Sequence, residues 1–382
     1  MSIYLDHAAT SFPKPAAVCR QMNEVMRRIG ANPGRSDHKL ARKANQIITE
    51  TREGIAALFG IAEAQRVIFT CNATEAINLG LKGLLSRGDH VITSSIEHNS
   101  VIRPLRGLER AGVKFSQVPC SRQGHLKIRL LKKALEPKTK LVVLTHASNV
   151  TGSLLPIEEV GRFARSHGIL FMVDAAQTAG LLPIDVERMK IDLLACPGHK
   201  SLYGPQGTGF LYFRKGIDLR PLKEGGTGTD SESEDQPITL PARFESGTLN
   251  TPGIAGLGAG VLFVLEEGVE RIWKKERQLT QQLLRGLKRN REVRIYGPLD
   301  GEERVPLVSF NVDSLGPAEV AFILDDVYDI LVRAGLHCAP QAHRTLGTFP
   351  AGTVRASLGY FNTPEDVEAL VEALQEITRM KY

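Results

Sequence analysis

The sequence predicts an α/β protein in which a large domain, built on a mainly parallel sheet with helices on each side, precedes a smaller α+β C-terminal domain. Three observations carry this. Short apolar runs alternate with amphipathic stretches from about residue 36 to residue 213. Several of those runs are apolar at consecutive positions, as a strand covered on both faces requires. A long polar segment then separates them from a region of different pattern.

Strands are expected at residues 67–70, 90–93, 113–118, 141–145, 169–173 and 193–195, with helical patterns between most of them. The best early helix begins near Ser36 and ends before Gly60, with Leu40, Ala44, Ile47, Ile48, Thr51, Ile55 and Leu58 along one packing face. Residues 223–241, KEGGTGTDSESEDQPITLP, are low in apolar residues and rich in Gly, Ser and acids, which predicts an exposed or mobile loop carrying no core. One long helical pattern follows from Pro252 to about Arg291. Strands at 307–311 and 354–357 and helices at 317–327 and 364–380 complete the chain.

The 382 residues are 42% apolar and 24% charged, an ordinary globular composition with length for two or more domains or one large one. The net charge of +6 is dispersed without blocks of one sign, which argues against a nucleic-acid partner and favours anionic small molecules. No apolar run reaches about 18 residues and the N-terminus has no basic-then-apolar leader, so no membrane association and a cytoplasmic location are expected. Cys19, Cys71, Cys120, Cys196 and Cys338 have neither zinc-site spacing nor disulfide density. No metal and a reducing compartment are expected, and each cysteine is either a small buried hydrophobe or a reactive thiol.

Four segments carry chemistry. VDAAQTAG sets Asp174 at the C-terminal end of an apolar strand, where open α/β sheets bind ligands, although an Asp there also caps a following turn. CPGHKSLYGPQGTGFLYF puts Lys200 between a strand and a Gly/Pro-rich turn that leads into another strand. Alone, a lysine is far more often a solvated surface charge; a buried one loses proton affinity, which suits imine formation and base catalysis. FTCNATEAINLGLKG reads as strand, turn and a helix opening around Ala73 and Thr74, whose N–H groups and hydroxyl suit a phosphate, as the same segment suits an ordinary capped core helix. In SSIEHNSVIRP, His98 follows a strand end, with a flat ring for stacking on a cofactor or for a structural role. A lysine, an acid for a ring nitrogen, phosphate donors and a flat surface are together what pyridoxal phosphate requires.

These segments, with YLDHAATS, TEAINL, EHNS, HASNVTG, VDAAQ, GHKSLYGPQG, FESGTLNTPG, RAGLHCAP and VRASLGYFNT in this order, resemble the class V aminotransferase family and most closely its cysteine desulfurase and selenocysteine lyase branch. The resemblance covers nearly the whole chain. It implies the fold type I architecture of pyridoxal-phosphate enzymes: an N-terminal arm over 1–14 packing with the small domain, a large domain over 15–256 with a mainly parallel seven-stranded mixed sheet, and a small domain over 257–382 carrying the cysteine loop.

By position, the resemblance implies that Lys200 is the Schiff-base lysine, Asp174 pairs with the pyridine nitrogen, Gln177 contacts the phenolic oxygen and His98 stacks on the ring. Asn149 would lie near substrate and ring oxygen. Phosphate contacts would come from Ala73, Thr74 and His199, and from Thr248 of a neighbouring subunit, so a homodimer is implied. Arg355 would pair bidentately with the substrate carboxylate. Cys338 would accept the sulfur of L-cysteine, releasing L-alanine, with His337 and Arg333 beside it to favour the thiolate. Cys71 and Cys196 fall where packing at the phosphate site is expected instead. L-selenocysteine is the alternative substrate, and an aminotransferase without sulfur transfer the alternative reaction; a sulfur-acceptor protein is implied but not identified. Pro197 stands where the family often has a Ser or Thr donor, Ser201 lengthens the string after the lysine, and the N-terminus is shorter than in many relatives of this group.

Overall fold

The computed structural model describes residues 2–34 and 36–379, so the expected helix end at Met380 lies outside the described residues. The strands are β1 (Ile3–Tyr4), β2 (Val67–Thr70), β3 (His90–Ser94), β4 (Lys114–Val118), β5 (Thr139–Thr145), β6 (Leu170–Asp174), β7 (Leu193–Pro197), β8 (Gly209–Phe213), β9 (Val293–Tyr296), β10 (Leu307–Val312), β11 (Ile330–Leu331), β12 (Arg333–Gly335) and β13 (Thr353–Ser357). The helices are α1 (Ala16–Glu24), α2 (Lys39–Phe59), α3 (Ala73–Leu84), α4 (Asn99–Arg110), α5 (Ile128–Lys133), α6 (Ile157–Ser166), α7 (Thr251–Glu267), α8 (Val269–Lys288), α9 (Pro317–Tyr328), α10 (Pro340–Leu346) and α11 (Pro364–Arg379).

Among the described residues, seven strands form the large sheet in the order β2-β8-β7-β6-β5-β3-β4, with β8 antiparallel to both its neighbours and the other pairs parallel. The consecutive apolar runs are explained by cover on both faces. Val142, Leu144, Phe171, Val173 and Leu194 enter one apolar cluster with Ile55 and Phe59 of α2 and Val160 of α6. Their alternates Leu141, Val143, Met172, Leu193 and Ala195 enter another with Ile77 of α3 and Leu105 of α4. A four-stranded antiparallel sheet, β12-β13-β10-β9, has its own cluster with α8, α9 and α11. β1 pairs in parallel with β11, and Leu5 enters that same cluster.

Three expectations need correction. The long helix over 252–291 is two helices bent by 82° at a break, where Gly268 has φ 80°. Leu40 is 38% exposed, while Ala41, Arg52 and Phe59 are buried. The buried residues 41, 44, 48, 51, 52, 55, 56 and 59 form a broad face, and Leu40, although only about 40° from Ala44 round the helix, lies in the first turn, where residues 36–39 are exposed as well. Residues 223–241 do lack regular helix or strand and are mostly exposed, but Leu240 is partly buried against the second cluster, so the segment carries a little core. No single helix among the described residues is long and apolar enough to cross a membrane.

The order of the large sheet positions the site. From β3 the chain moves outward to β4, whereas from β5 it moves the other way to β6 and β7. β3 pairs with β5 only from His90 to Ile92, while β5 runs on to Thr145. A crevice opens at such a reversal, at the carboxyl ends of the strands.

Candidate active site

A cavity of about 210 Å³ lies at those strand ends, and Asn149, Asp174, Pro197 and Lys200 reach it from just after β5, from β6, from the end of β7 and from the turn beyond. Ala73, Thr74, His98, Gln177, His199 and Arg355 line it as well. With Arg333 and His337, which line it too, twelve of the residues singled out from sequence, from Ala73 to Arg355, therefore surround one space; Cys338 and Thr248 do not line it.

Each side chain is held by its local structure. Asp174 is buried at the end of β6, with Oδ1 accepting from the Ala176 N–H at 2.9 Å, so it caps the following turn and lines the cavity at once. Asn72 caps α3 by accepting from the Glu75 N–H at 2.9 Å, leaving the first N–H groups of that helix without intrahelical acceptors at the cavity wall. Thr74 Oγ1 lies 2.7 Å from Ser100 Oγ, which lies 2.8 Å from His98 Nδ1. His98 caps α4, its Nδ1 accepting from the Ser100 N–H at 3.0 Å. Nδ1 therefore carries no proton, and in the neutral ring the proton sits on Nε2. Gln177 Nε2 donates to the Ala8 carbonyl at 3.2 Å.

Burial dominates the electrostatics. The accessible surface of Lys200 opens on the cavity, and burial lowers its pKa to about 8, with Asp174 opposing the shift and Arg355 and Arg333 adding to it. Burial raises the Asp174 pKa, against the Ala176 hydrogen bond and Lys200. His98 is pushed down to about 4 by burial and by the nearby Lys200, Arg333, Arg355 and Arg103, and His199 to about 4 by burial, Lys200 and Lys14. Both imidazoles are thus neutral at pH 7.

The cysteine loop is fixed from two sides. Asn149 Nδ2 donates to the His337 carbonyl at 2.7 Å, and the Asn99 N–H donates to the Cys338 carbonyl at 2.8 Å. His337 lines the cavity and Cys338, the next residue, is exposed. Both have left-handed backbones, φ 48° and 57°, an arrangement that costs non-glycine residues energy and clusters at functional sites. Arg333 Nη2 donates to Cys338 Sγ at 3.8 Å. The expected help from His337 needs correction. Its Nε2 lies 3.1 Å from the Thr353 carbonyl, and burial with Arg355, His343 and Arg333 lowers its pKa to about 2, so it carries no positive charge.

Cys196 is buried in the core, its thiol pushed far up by burial, and fits a packing role. Cys71 departs from that expectation: it is exposed and lies outside the cavity lining, because it stands in the turn before α3. Thr248 is exposed and its Oγ1 accepts from Asn32 Nδ2 at 3.2 Å.

Sequence reasoning missed the N-terminal wall. Ala8 and Ala9 line the cavity. The His199 carbonyl accepts from the Ser11 N–H at 3.1 Å, Thr10 Oγ1 at 3.1 Å and Lys14 Nζ at 2.8 Å, while Ser11 Oγ donates to the Lys200 carbonyl at 2.9 Å. Asp6 Oδ1 accepts from Arg355 Nη2 at 2.8 Å, and the Asn149 carbonyl accepts from Nη1 at 3.0 Å. The only local signal was the short run of small and polar residues from Asp6 to Ser11, which fits neither a strand nor a helix period.

The cavity meets the needs of pyridoxal phosphate on its own evidence. It has a desolvated lysine with no hydrogen bond to Nζ among the described residues, a buried carboxylate, a helix N-terminus, and unpartnered buried nitrogens at His199 Nδ1 and Arg355 Nε. A desolvated lysine and a buried carboxylate at the switch point of a doubly covered, mainly parallel sheet fit an α/β enzyme of the pyridoxal-phosphate class. The chain belongs to the class-V aminotransferase family, whose model matches residues 3–370, a family of pyridoxal-phosphate enzymes. It is 38% identical to a probable cysteine desulfurase of Methanothermobacter thermautotrophicus, over 99% of this chain and 95% of that protein. It is 34% identical to a cysteine desulfurase of Yersinia pseudotuberculosis, over 99% and 94%. The apo structure of a cysteine desulfurase from Thermococcus onnurineus NA1 superposes with a TM-score of 0.91 at 36% identity, covering 99% of this chain and 95% of that one.

Proposed function

We propose that this enzyme is a cysteine desulfurase, converting L-cysteine and the Cys338 thiol into L-alanine and a Cys338 persulfide. The observation that carries the reading is the loop held by Asn149 and Asn99, which keeps an exposed thiol one residue beyond the cavity that Lys200 and Asp174 share. The similarity to proteins named cysteine desulfurase supports it.

In this reading Lys200 would hold pyridoxal phosphate covalently, with Asp174 available to the ring nitrogen, Gln177 to the phenolic oxygen and His98 to the ring face. Ala73, Thr74 and His199 hold the phosphate, with Thr248 of the partner subunit of a homodimer. Asn149 lies beside substrate and ring. Bound pyridoxal phosphate supplies an electron sink for negative charge at the substrate's α-carbon. With that group bound, Asp174 would hold a proton at the ring nitrogen, and the Lys200 amine would be placed to move the substrate's α-proton. The substrate C–S bond breaks, a bond forms between that sulfur and Cys338 Sγ, and a proton reaches the carbon that becomes the alanine methyl. A separate acceptor protein then takes the sulfur, in the cytoplasm. The chain divides at 14 and 256 into arm, large domain and small domain, the small domain carrying Cys338.

Lys200 must be neutral to capture an aldehyde, and its neutral fraction rises as pH rises through about 8. The rate at which apoprotein takes up pyridoxal phosphate, followed by visible absorbance, is therefore expected to rise to a plateau above pH 8. A rate still climbing steeply beyond pH 9.5 would mean that the lysine keeps the proton affinity of a solvated one.

Arg355 is buried, with Asp6 and the Asn149 carbonyl holding its guanidinium. Arg355→Ala is expected to raise KM for cysteine about 100-fold, the equivalent of one or two charge-assisted hydrogen bonds, with a smaller effect on kcat. Arg355→Lys should recover little, since an ammonium cannot reproduce the planar fork. Steady-state kinetics separating the two constants would refute this if KM stayed unchanged in both variants.

A further inference from the structure

Beneath the cavity lies a second carboxyl group that the mechanism above leaves unused. Glu97 is 1% exposed and sits in the turn between β3 and α4, immediately before His98. Its Oε2 accepts from the Thr145 N–H at 2.9 Å, and its Oε1 lies 2.5 Å from Ser94 Oγ. Thr145 is the last residue of β5, lines the cavity and is in register with Asp174 of β6.

The place of this contact in the sheet explains it. β3 and β5 pair only as far as Ile92 and Val142, and beyond that point the strands separate around the crevice. The Thr145 N–H is thereby deprived of a strand partner on that side, and a buried N–H without an acceptor is costly. Glu97 supplies the acceptor from the adjoining turn. One carboxyl group thus spans the opening of the sheet and joins the segment bearing His98 to the strand end beside Asp174.

The surroundings also bear on its charge. No cation forms an ion pair with Glu97 among the described residues, and Asp174 is the charged neighbour that acts on it. An unpaired carboxylate in such a place carries a large desolvation cost, which protonation removes. Burial first, and then Asp174, raise the Glu97 pKa to about 8, against the Ser94 and Thr145 hydrogen bonds. Ser94 Oγ, which accepts from the Ile96 N–H at 3.3 Å, donates to Oε1 when Glu97 is ionised; with Oε2 occupied by the Thr145 N–H, a proton taken up by Glu97 goes to Oε1 and the Ser94 hydroxyl turns to accept it. The Ser94 hydroxyl in turn has the Cys120 thiol as a neighbour, itself pushed up to about 12 by burial and by Glu97.

We infer that Glu97 is a positioning residue that acts as a neutral carboxylic acid, clipping the His98 turn to the end of β5 and so setting the ring-facing His98 against Asp174. The inference rests on the cofactor reading proposed above, but the neutral acid itself does not require the cofactor.

Three variants and three readouts test it. Glutamine keeps the clip, its carbonyl accepting from Thr145 and its amide donating to Ser94, so Glu97→Gln is expected to hold the dissociation constant of pyridoxal phosphate and the visible circular dichroism of the holoenzyme within about threefold. Glu97→Ala opens the clip and should weaken cofactor binding by about 10-fold or more and diminish the visible dichroism, while Glu97→Asp, too short to span both partners, should fall between. Infrared spectra of the apoprotein at pH 6.5 should contain a protonated-carboxyl band that Glu97→Gln removes. Should Glu97→Ala fail to fold, the glutamine variant and the infrared band still decide the matter. A glutamine variant as impaired as the alanine one, an alanine variant with unaltered affinity and dichroism, or no glutamate-dependent infrared band would each overturn the inference. If instead pyridoxal phosphate bound to neither wild type nor Glu97→Gln while the band was present, the cofactor reading would fail and the neutral acid would stand.

Discussion

Lys200→Ala is expected to reduce alanine formation from cysteine by at least about 10³-fold, because it removes both the covalent anchor and the base that moves the α-proton. A positioned general base alone contributes about 10²- to 10⁴-fold. The geometry leaves no ready substitute. The nearest alternative, Lys14, has its Nζ committed to the His199 carbonyl and to Ser11 Oγ, each at 2.8 Å. Borohydride treatment of the wild-type holoenzyme should fix pyridoxal phosphate to the peptide containing Lys200, and that label should be lost in the variant. Label on Lys14, or substantial turnover by Lys200→Ala, would remove Lys200 from its role.

Cys338→Ser is expected to have a large effect on sulfur transfer and almost none on cofactor binding. Cys338 is exposed, so the change should leave folding stability within about 0.5 kcal/mol. Pyridoxal phosphate should bind as before, since Cys338 does not line the cavity. Sulfide and alanine formation should fall by about 10²-fold or more, because a hydroxyl cannot take the sulfur and an external thiol lacks the advantage of being held in place. Anaerobic incubation with cysteine, followed by mass spectrometry of the peptide containing Cys338, should find one added sulfur in the wild type and none in the variant. Persulfide on Cys71, an exposed thiol in the turn before α3, would relocate the acceptor. Unchanged sulfur release would leave an aminotransferase-like reaction as the better reading.

These expectations depend on residues that differ in how far they could be read from the chain. Lys200, Asp174, His98 and Thr74 each follow or begin a regular element, and runs such as LVVLT and VDAAQ show where strands end. The sheet's double cover follows from the same runs, since residues at successive positions face opposite clusters. The break at Gly268 was less legible, because apolar periodicity continues across it and only the φ of 80° interrupts the helix. Leu40 stands on the expected side but is exposed because it lies in the first turn of α2 beside exposed residues 36–39, and periodicity does not tell where a helix end leaves the core.

The sequence by itself determined the alternation of strands and helices, the strand-end chemistry and the family resemblance, because these reside in local periodicity and short ordered strings. Only the tertiary structure decided that Asp6 meets Arg355, that residues 8–14 wall in the lysine turn, that Asn99 and Asn149 hold the Cys338 loop, and that His337 is neutral. Each of those depends on groups from distant parts of the chain meeting at the open end of a sheet, and on the loss of water around them. Neither the meeting nor the desolvation leaves a periodic mark in the sequence.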